Sequence, residues 1–391
     1  MIKITVQFIK IIIIYCLRVL LRLFYIIPIN ERKIIFVSWM GRQYACNPKY
    51  IFEFMYNLYS DQYAYAWCLK KKKMLPVDYN NIQICGYYTL KYIYIMMTAK
   101  YIITNHAIEP YFPFRKNQII IYTWHGGGAY KKVDDVKVFK NRRWSRNIMR
   151  DIRSKMITYA VSSCNKFSDI HCKIWNIPQD KFLPIGMPRN DIFFFNNTKI
   201  CEKVYKKFNI DVSKKILLYA PTYRGDHNTS QEAKYIYKLD IINVLKYLKE
   251  KYGKDFIFMY KTHYIIHKSH ENTLNIISAS DYPDMQELLC AADILITDYS
   301  SCIWDFSFTF KPCFIYAPDL RKYQKEQGFY TPIEEWPFPL AETNEKLTEN
   351  IMQFDNEKYT EAVRKHHDDL GSYESGTACK RFCDAVFSVT V

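Results

Sequence analysis

The β-branched run Ile119-Ile-Ile-Tyr-Thr123 leads into Trp124-His125-Gly126-Gly127-Gly128, followed by Lys131 and Lys132. A histidine at a strand end beside glycines suits proton transfer next to a phosphate: glycine lets amides approach a ligand closely, and imidazole titrates near neutrality. Further on, Leu218-Tyr-Ala-Pro-Thr222-Tyr223-Arg224 offers a hydroxyl and a guanidinium to an anion, and Phe256–Tyr260 ends in Lys261-Thr262-His263. His267 and His270 follow His263 at helical spacing, but no acidic or third ligand stands at metalloprotease spacing, so no metal is expected. The run Ala292-Asp-Ile-Leu-Ile-Thr-Asp-Tyr-Ser300-Ser301 ends in paired serines capping a helix expected over Ile303–Phe310. Free amides and two hydroxyls there make a diphosphate site, with Asp305 one turn on for a ribose or glycerol hydroxyl. Each feature has a plainer alternative: a surface turn, a salt-bridged arginine, a helix cap, a solvated carboxylate.

These residues sit where strands end, so the elements that carry them decide their meaning. Beyond Pro28, short β-branched or aromatic runs alternate with helical stretches: Ile34–Ser38, Tyr50–Tyr59, Tyr101–Thr104 and Ile119–Thr123. After Asp191 the alternation restarts, with strands at Ile216–Ala220, Phe256–Tyr260, Asn275–Ser278, Ile294–Thr297 and Cys313–Tyr316. Helices are expected between them at Ile241–Lys251, Asp284–Ala291 and Ile303–Phe310. Strand–helix alternation implies parallel sheets, which bind ligands outside the carboxyl ends of their strands. The expected fold is α/β: two doubly wound Rossmann-like units facing across a cleft, of the GT-B type, behind an amphipathic N-terminal helix. Residues 1–28 form that interfacial helix, 29–200 an acceptor-side domain, and 201–391 a donor-binding domain with an acidic helical tail. A length of 391 residues agrees with two domains.

The formal charge of +16 is uneven: residues 1–73 carry 12 Lys/Arg against 3 Asp/Glu, and residues 131–155 carry 10 against 3. Two basic patches call for anionic partners: lipid, nucleic acid or a phosphorylated substrate. At 100° per residue Lys3, Gln7, Lys10, Arg18 and Arg22 share one arc about 120° wide, and the rest of the wheel is mostly apolar. The charge-free run Ile11–Leu17 is far shorter than a bilayer needs, so a helix lying in the membrane interface is expected, cations toward headgroups. The alternative is the same helix docked on the protein's own core. Twelve scattered cysteines with no C-x-x-C pair read as reduced thiols. The basic stretch 131–155 holds few aromatics, Phe139 and Trp144, and no RNA-module signature, so no nucleic acid partner is expected.

No Asp-x-Asp pair, no P-loop and no G-x-G-x-x-G after the first strand occur. Carboxylate-bridged metal diphosphate chemistry, NTPase activity and a classical NAD fold lose support. Together the motifs resemble the CDP-glycerol glycerophosphotransferase family, the teichoic acid primases and polymerases. The resemblance runs through Asn47-Pro48-Lys49-Tyr50-Ile51, Trp124-His125-Gly126, Gly186-x-Pro-Arg-Asn-Asp191 and Tyr219-Ala-Pro-Thr-x-Arg224. It continues through Glu287-Leu-Leu-x-Ala-Ala-Asp-x-Leu-Ile-Thr-Asp-Tyr-Ser-Ser301, Tyr316-Ala-Pro-Asp319 and Gly328-Phe-Tyr330.

The resemblance implies a GT-B-type fold, metal- and cofactor-free transfer, and monotopic attachment at the cytoplasmic face of a bacterial membrane. It makes His125 the base on the acceptor hydroxyl and His263 a group steadying donor phosphate. It places Arg189, Thr222, Tyr223, Arg224, Lys261, Thr262, Ser300, Ser301 and Asp305 around CDP-glycerol, or CDP-ribitol, with Trp124, Gly126, Gly127 and Gly128 as further substrate-binding residues. The acceptor it implies is linked to a polyprenyl diphosphate. Two departures stand out: Gly127 replaces the family's usual threonine, and Lys261-Thr262-His263-Tyr264 replaces its Arg-x-His-Pro. A GT-B glycosyltransferase using a nucleotide sugar shares the same diphosphate site and differs in the product released. A peripheral membrane or nucleic-acid-binding protein is the non-enzymatic alternative.

Overall fold

The computed structural model describes residues 2–71, 74–75, 79–133, 144–222, 239–261 and 275–387. The chain divides into two compact units.

The first unit carries α1 (Ile2–Leu21) and a seven-stranded sheet of β1 (Asn30–Val37), β2 (Ala64–Cys68), β3 (Gln83–Cys85), β4 (Ala99–Thr104), β5 (Ile119–Tyr122), β6 (Tyr159–Ser162) and β7 (Phe182–Pro184). Its order is β3-β2-β1-β4-β5-β6-β7, and every pairing is parallel. The helices between strands are α2 (Cys46–Tyr59), α3 (Leu90–Thr98), α4 (Trp144–Met156) and α5 (Asn165–Trp175). Ile34–Phe36 and Ile102–Ile103 are fully buried, the two-sided burial that parallel strands show when helices cover both faces. The strand order reverses between β1 and β4, where Val37 pairs with Thr104, and that is where a doubly wound sheet opens its ligand crevice.

The second unit follows α6 (Thr198–Phe208) with a parallel sheet, β10-β9-β8-β11-β12-β13, and reverses between β8 and β11. The strands are β8 (Lys215–Tyr219), β9 (Phe256–Tyr260), β10 (Ile276–Ser278), β11 (Ile294–Thr297), β12 (Cys313–Tyr316) and β13 (Leu340–Ala341). Its helices are α7 (Ile241–Tyr252), α8 (Met285–Ala291), α9 (Cys302–Ser307), α10 (Leu320–Glu326), α11 (Asn344–Met352) and α12 (Asn356–Leu370). Leu217, Phe258, Ile296 and Phe314 join Val244, Leu248 and Ile351 in one core.

The two parallel α/β units agree with the expected fold class. The boundaries differ from the expected ones. The division falls between Asp191 and Ile192 rather than at 200, and the segment from Tyr373 on belongs to the first unit instead of the donor domain. The reason is Asp191, whose carboxylate accepts 2.8 Å bonds from both Ala378 N and Cys379 N, anchoring the first turn of α13 (Ala378–Phe387). Residues Gly126–Val133 in turn belong to the second unit. Lys132 N donates to Gly328 O, Tyr330 N donates to Tyr130 O, and Tyr130 Oη bonds His366 Nε2 at 3.0 Å.

Helix α1 is amphipathic, and part of its polar arc docks on the protein. Arg18 donates to the carbonyls of Pro110 and Phe112, both at 2.7 Å, and Gln7 accepts from Ser145 Oγ. Ile11, Ile14 and Leu21 are buried on the same side. Outward lie Phe8, Ile9, Ile12, Ile13, Val19 and Leu20, each 46–65% exposed. Gln7 and Arg18 of the polar arc therefore dock on the protein, Lys10 and Arg22 stay exposed, and much of the apolar arc is left uncovered. No helix among the described residues is long and apolar enough to cross a membrane.

Candidate active site

In the first unit the carboxyl ends of β1, β4 and β5 converge on His125. Its Nδ1 lies 3.1 Å from the carbonyl oxygen of Asn105, the residue that follows β4. A carbonyl only accepts, so Nδ1 carries the proton and, in the neutral imidazole, Nε2 carries the lone pair. The ring is held between Trp39, centroid 4.6 Å away, and Trp124, 3.9 Å away. Asn105 is itself fixed: its Oδ1 accepts from Trp39 N at 3.0 Å and its Nδ2 donates to Ser38 Oγ. Asn47 Nδ2 donates to the carbonyls of Thr123 and Trp124, pinning the loop from β5.

Backbone strain gathers here. Trp39, Met40, Cys46 and Trp124 all have φ between 47° and 63°, a region that side chains larger than glycine avoid. Such strain persists only where surrounding contacts over-determine it, and it is common at functional sites.

Arg189, expected around the CDP moiety, belongs to this unit. It is 4% exposed, its guanidinium donates to Cys46 Sγ at 3.2 Å, and its amide donates to Asn47 Oδ1. The turn after β7 buries it among the residues that hold Trp124 in place. Gly186, at φ +86, packs against Glu374, whose carboxylate accepts from Met187 N and Asn190 Nδ2.

In the second unit Gly126, Gly127 and Gly128 are buried. A Cβ at 127 would meet Trp304 Nε1 at 2.5 Å and the ring's Cδ1 closer still, and one at 128 would meet Trp304 Cε3 at 2.7 Å. The indole thus fills the space that a threonine at 127 would take. The ends of β8 and β11 are tied by Asp298, 3% exposed, which accepts from Thr222 N at 2.7 Å and Tyr299 N at 2.5 Å. Ser300 and Ser301 follow at half-exposed positions.

The serine site keeps part of the expected helix cap, in that Ser300 Oγ accepts from Cys302 N at 3.5 Å. Ser301 makes no side-chain capping bond, and the amides of Ile303 and Trp304 are taken by the carbonyls of Ser300 and Ser301. The helix α9 is also shorter than expected, ending at Ser307 with Phe310 reaching φ 54. Asp305 is 2% exposed and accepts from Gln286 Nε2 at 2.9 Å, which removes the solvated-carboxylate alternative. Lys261 is turned into a structural tie: its Nζ donates to Tyr282 O at 2.6 Å and to the carbonyls of Ala279 and Ser280. Burial lowers its pKa to about 8.

Tyr223, Arg224, Thr262, His263, His267 and His270 lie outside the described residues. Among the described residues no three His, Cys, Asp or Glu side chains gather as a metal site. Sequence reasoning did not single out Trp39, Asn105 or Trp304. The first two follow strands β1 and β4 and were open to the same strand-end logic that found His125.

Comparison with known proteins gives this geometry a family. Residues 19–388 match the family described as CDP-Glycerol:Poly(glycerophosphate) glycerophosphotransferase. The chain is 31% identical over 376 residues to the teichoic acid poly(glycerol phosphate) polymerase of Bacillus spizizenii, covering 93% of this chain and 94% of that one. It is 28% identical to the teichoic acid glycerol-phosphate transferase of Staphylococcus aureus, covering 92% and 93%. The solved structure of the wall teichoic acid polymerase TagF superposes with a TM-score of 0.81 at 25% identity, over 99% of this chain and 97% of that one. With the family match running through both units, the chain is an enzyme of the CDP-glycerol:poly(glycerophosphate) glycerophosphotransferase family.

Proposed function

We propose that this enzyme transfers glycerol phosphate from CDP-glycerol to a hydroxyl of a lipid-linked acceptor, releasing CMP, in the synthesis of a teichoic acid or related surface polymer. The observation that carries the catalytic part is the Asn105 carbonyl on His125 Nδ1, which makes Nε2 the proton-accepting nitrogen. The acceptor hydroxyl gives its proton to Nε2, and its oxygen attacks the β-phosphorus. The bond from that phosphorus to the bridging oxygen breaks, and CMP leaves with the electron pair. Base catalysis of this kind contributes ~10²–10⁴-fold.

The donor's phosphates are assigned to the strand-end turn of Thr222, Ser300 and Ser301, with Asp298 holding its backbone and His263 steadying phosphate charge. The uncovered apolar face of α1 supports peripheral attachment at the cytoplasmic membrane face.

The test is incubation of membranes with radiolabelled CDP-glycerol and, separately, CDP-ribitol, scoring CMP and lipid-linked product. CMP with labelled lipid from CDP-glycerol is expected. Product from CDP-ribitol alone would overturn the substrate and keep the chemistry, whereas no CMP from either would overturn both.

A further inference from the structure

Trp39 follows β1, the strand at which the order of the first sheet reverses. Its φ is 47°, and Met40 and Gly41 continue at 54° and 74°. Side chains larger than glycine avoid that left-handed region, and glycine is the ordinary residue for such a turn. Core packing does not account for a large aromatic there, because Trp39 is only half-buried. What its indole meets is the imidazole of His125, at a centroid distance of 4.6 Å. Trp124 approaches the same ring at 3.9 Å from the loop after β5.

Both indoles lie within the ~6 Å at which an aromatic face attracts a cation, and indole is the strongest such face among the side chains. A neutral imidazole gains little from that attraction. The imidazolium formed when Nε2 takes a proton gains it from both rings, and it keeps the Nδ1–H bond to Asn105 O at 3.1 Å. Charged and titratable groups on the neighbouring elements have partners of their own. His106 bonds Thr104 Oγ1 and Tyr87 Oη, and His171 Nδ1 bonds Phe167 O. Arg189 donates to Cys46 Sγ, and Lys49 Nζ stands over the ring of Tyr50. We propose that Trp39 is a positioning residue for the transfer reaction: with Trp124, its indole fixes the His125 ring and stabilises the imidazolium that forms as the acceptor hydroxyl gives up its proton. The inference rests on His125 being that base, as proposed above.

The Trp39 backbone N–H donates to Asn105 Oδ1 at 3.0 Å and survives a change of side chain, so substitutions here test the indole and leave the Asn105 tie in place. The experiment compares Trp39→Leu with Trp39→Phe in the full chain, each keeping an apolar side chain at this half-buried position. Two quantities are read. One is kcat and KM for CMP release from CDP-glycerol with a membrane acceptor. The other is the protonation midpoint of His125, followed by NMR of isotope-labelled imidazoles and assigned by the signal missing from His125→Ala. Trp39→Leu should lower kcat by about five-fold or more with KM within about two-fold, the loss expected when one cation–π contact to the charged form is removed. Its His125 midpoint should move to lower pH, because the imidazolium has lost a partner. Trp39→Phe keeps an aromatic face and should recover most of both. An unmoved midpoint in Trp39→Leu, equal losses in the two variants, or a rise in KM that matches the fall in kcat would each overturn the proposal. The midpoint is read without reference to activity, so the two readings fail separately. A midpoint that follows Trp39 while His125→Ala releases CMP at a near-normal rate would overturn His125 as the base. Loss of CMP release in His125→Ala, with midpoint and kcat unmoved in Trp39→Leu, would overturn the role of Trp39 and keep the base.

Discussion

Gly127 lies directly against the indole of Trp304, close enough that a Cβ at 127 would fall 2.5 Å from Nε1. Trp304 is fully buried, so the ring cannot swing out to admit a side chain. Gly127→Ala should therefore destabilise the second unit by about 1–3 kcal/mol, the usual cost of overpacking. In a Trp304→Leu background the same alanine should cost clearly less, giving a coupling of about 1 kcal/mol or more in a double-mutant cycle of urea unfolding. Additive losses would mean that the two positions do not compete for space.

His125→Ala should lower transfer by ~10²–10⁴-fold while CDP-glycerol still binds. Asn105→Ala tests the orientation of the ring. It removes the acceptor for Trp39 N and the donor to Ser38 Oγ, so the carbonyl that fixes Nδ1 loses its support. A ten-fold or greater fall in kcat with little change in KM is expected, because misplacing a base costs the transition state more than the bound substrate. Near-normal CMP release from His125→Ala would remove the residue from the mechanism.

Asp298 joins the ends of β8 and β11 through two amides, Thr222 N and Tyr299 N. Asp298→Ala should cost about 1–3 kcal/mol per amide left without this acceptor. Because those amides flank the proposed phosphate turn, affinity for CDP-glycerol should fall together with stability. A variant with unchanged affinity, measured by equilibrium dialysis below its melting temperature, would place the donor elsewhere.

Much of this was legible beforehand for identifiable reasons. Buried parallel strands read as short apolar runs, so β5, β8, β11 and β12 were visible, and the loops after them were found by the rule that ligands sit at carboxyl ends. Strands such as β2, Ala64-Tyr-Ala-Trp-Cys68, lack a β-branched residue and were not. The burial of Arg189 was not legible because a motif reports proximity in sequence, while that burial depends on Cys46 and Asn47, far back in the chain. The return of the C-terminal helix hangs on one buried carboxylate, Asp191, whose partners lie 187 and 188 residues away.

Three buried histidines predict loss of stability in acid. Burial lowers His106 and His171 to about 4 and His367 to about 3. Their folded-state values lie below the unfolded one near 6.5, so the unfolded chain binds more protons in that window and stability is lost as pH falls from 6.5 toward 4. Glu109 opposes them: burial raises it to about 7, so it favours the folded state below its ordinary 4.5 and loses that contribution as pH rises through 7. Three protons against one leave a net loss of stability on acidification between 4.5 and 6.5. Urea midpoints should drop across that range, more steeply in Glu109→Gln, where the opposing proton is gone. A flat profile would mean that these imidazoles are not held neutral.

The orientation of α1 bears on attachment. A helix that docks through Arg18, Gln7, Ile11 and Ile14 has its anchoring satisfied by the protein, so substitutions on the opposite face should not loosen it. Ile12→Asp/Val19→Asp changes two residues 46% and 65% exposed, and surface changes away from packed features usually alter stability by about 0.5 kcal/mol or less. The same pair removes apolar area from any membrane contact and adds two charges that anionic lipid repels, so co-sedimentation with phosphatidylglycerol vesicles should fall by ten-fold or more. Arg18→Ala has the opposite signature: it should destabilise the fold by removing two charge-assisted bonds while leaving the apolar face intact. If vesicle binding followed Arg18 and ignored positions 12 and 19, attachment would be electrostatic and the outward apolar face would not be the membrane contact.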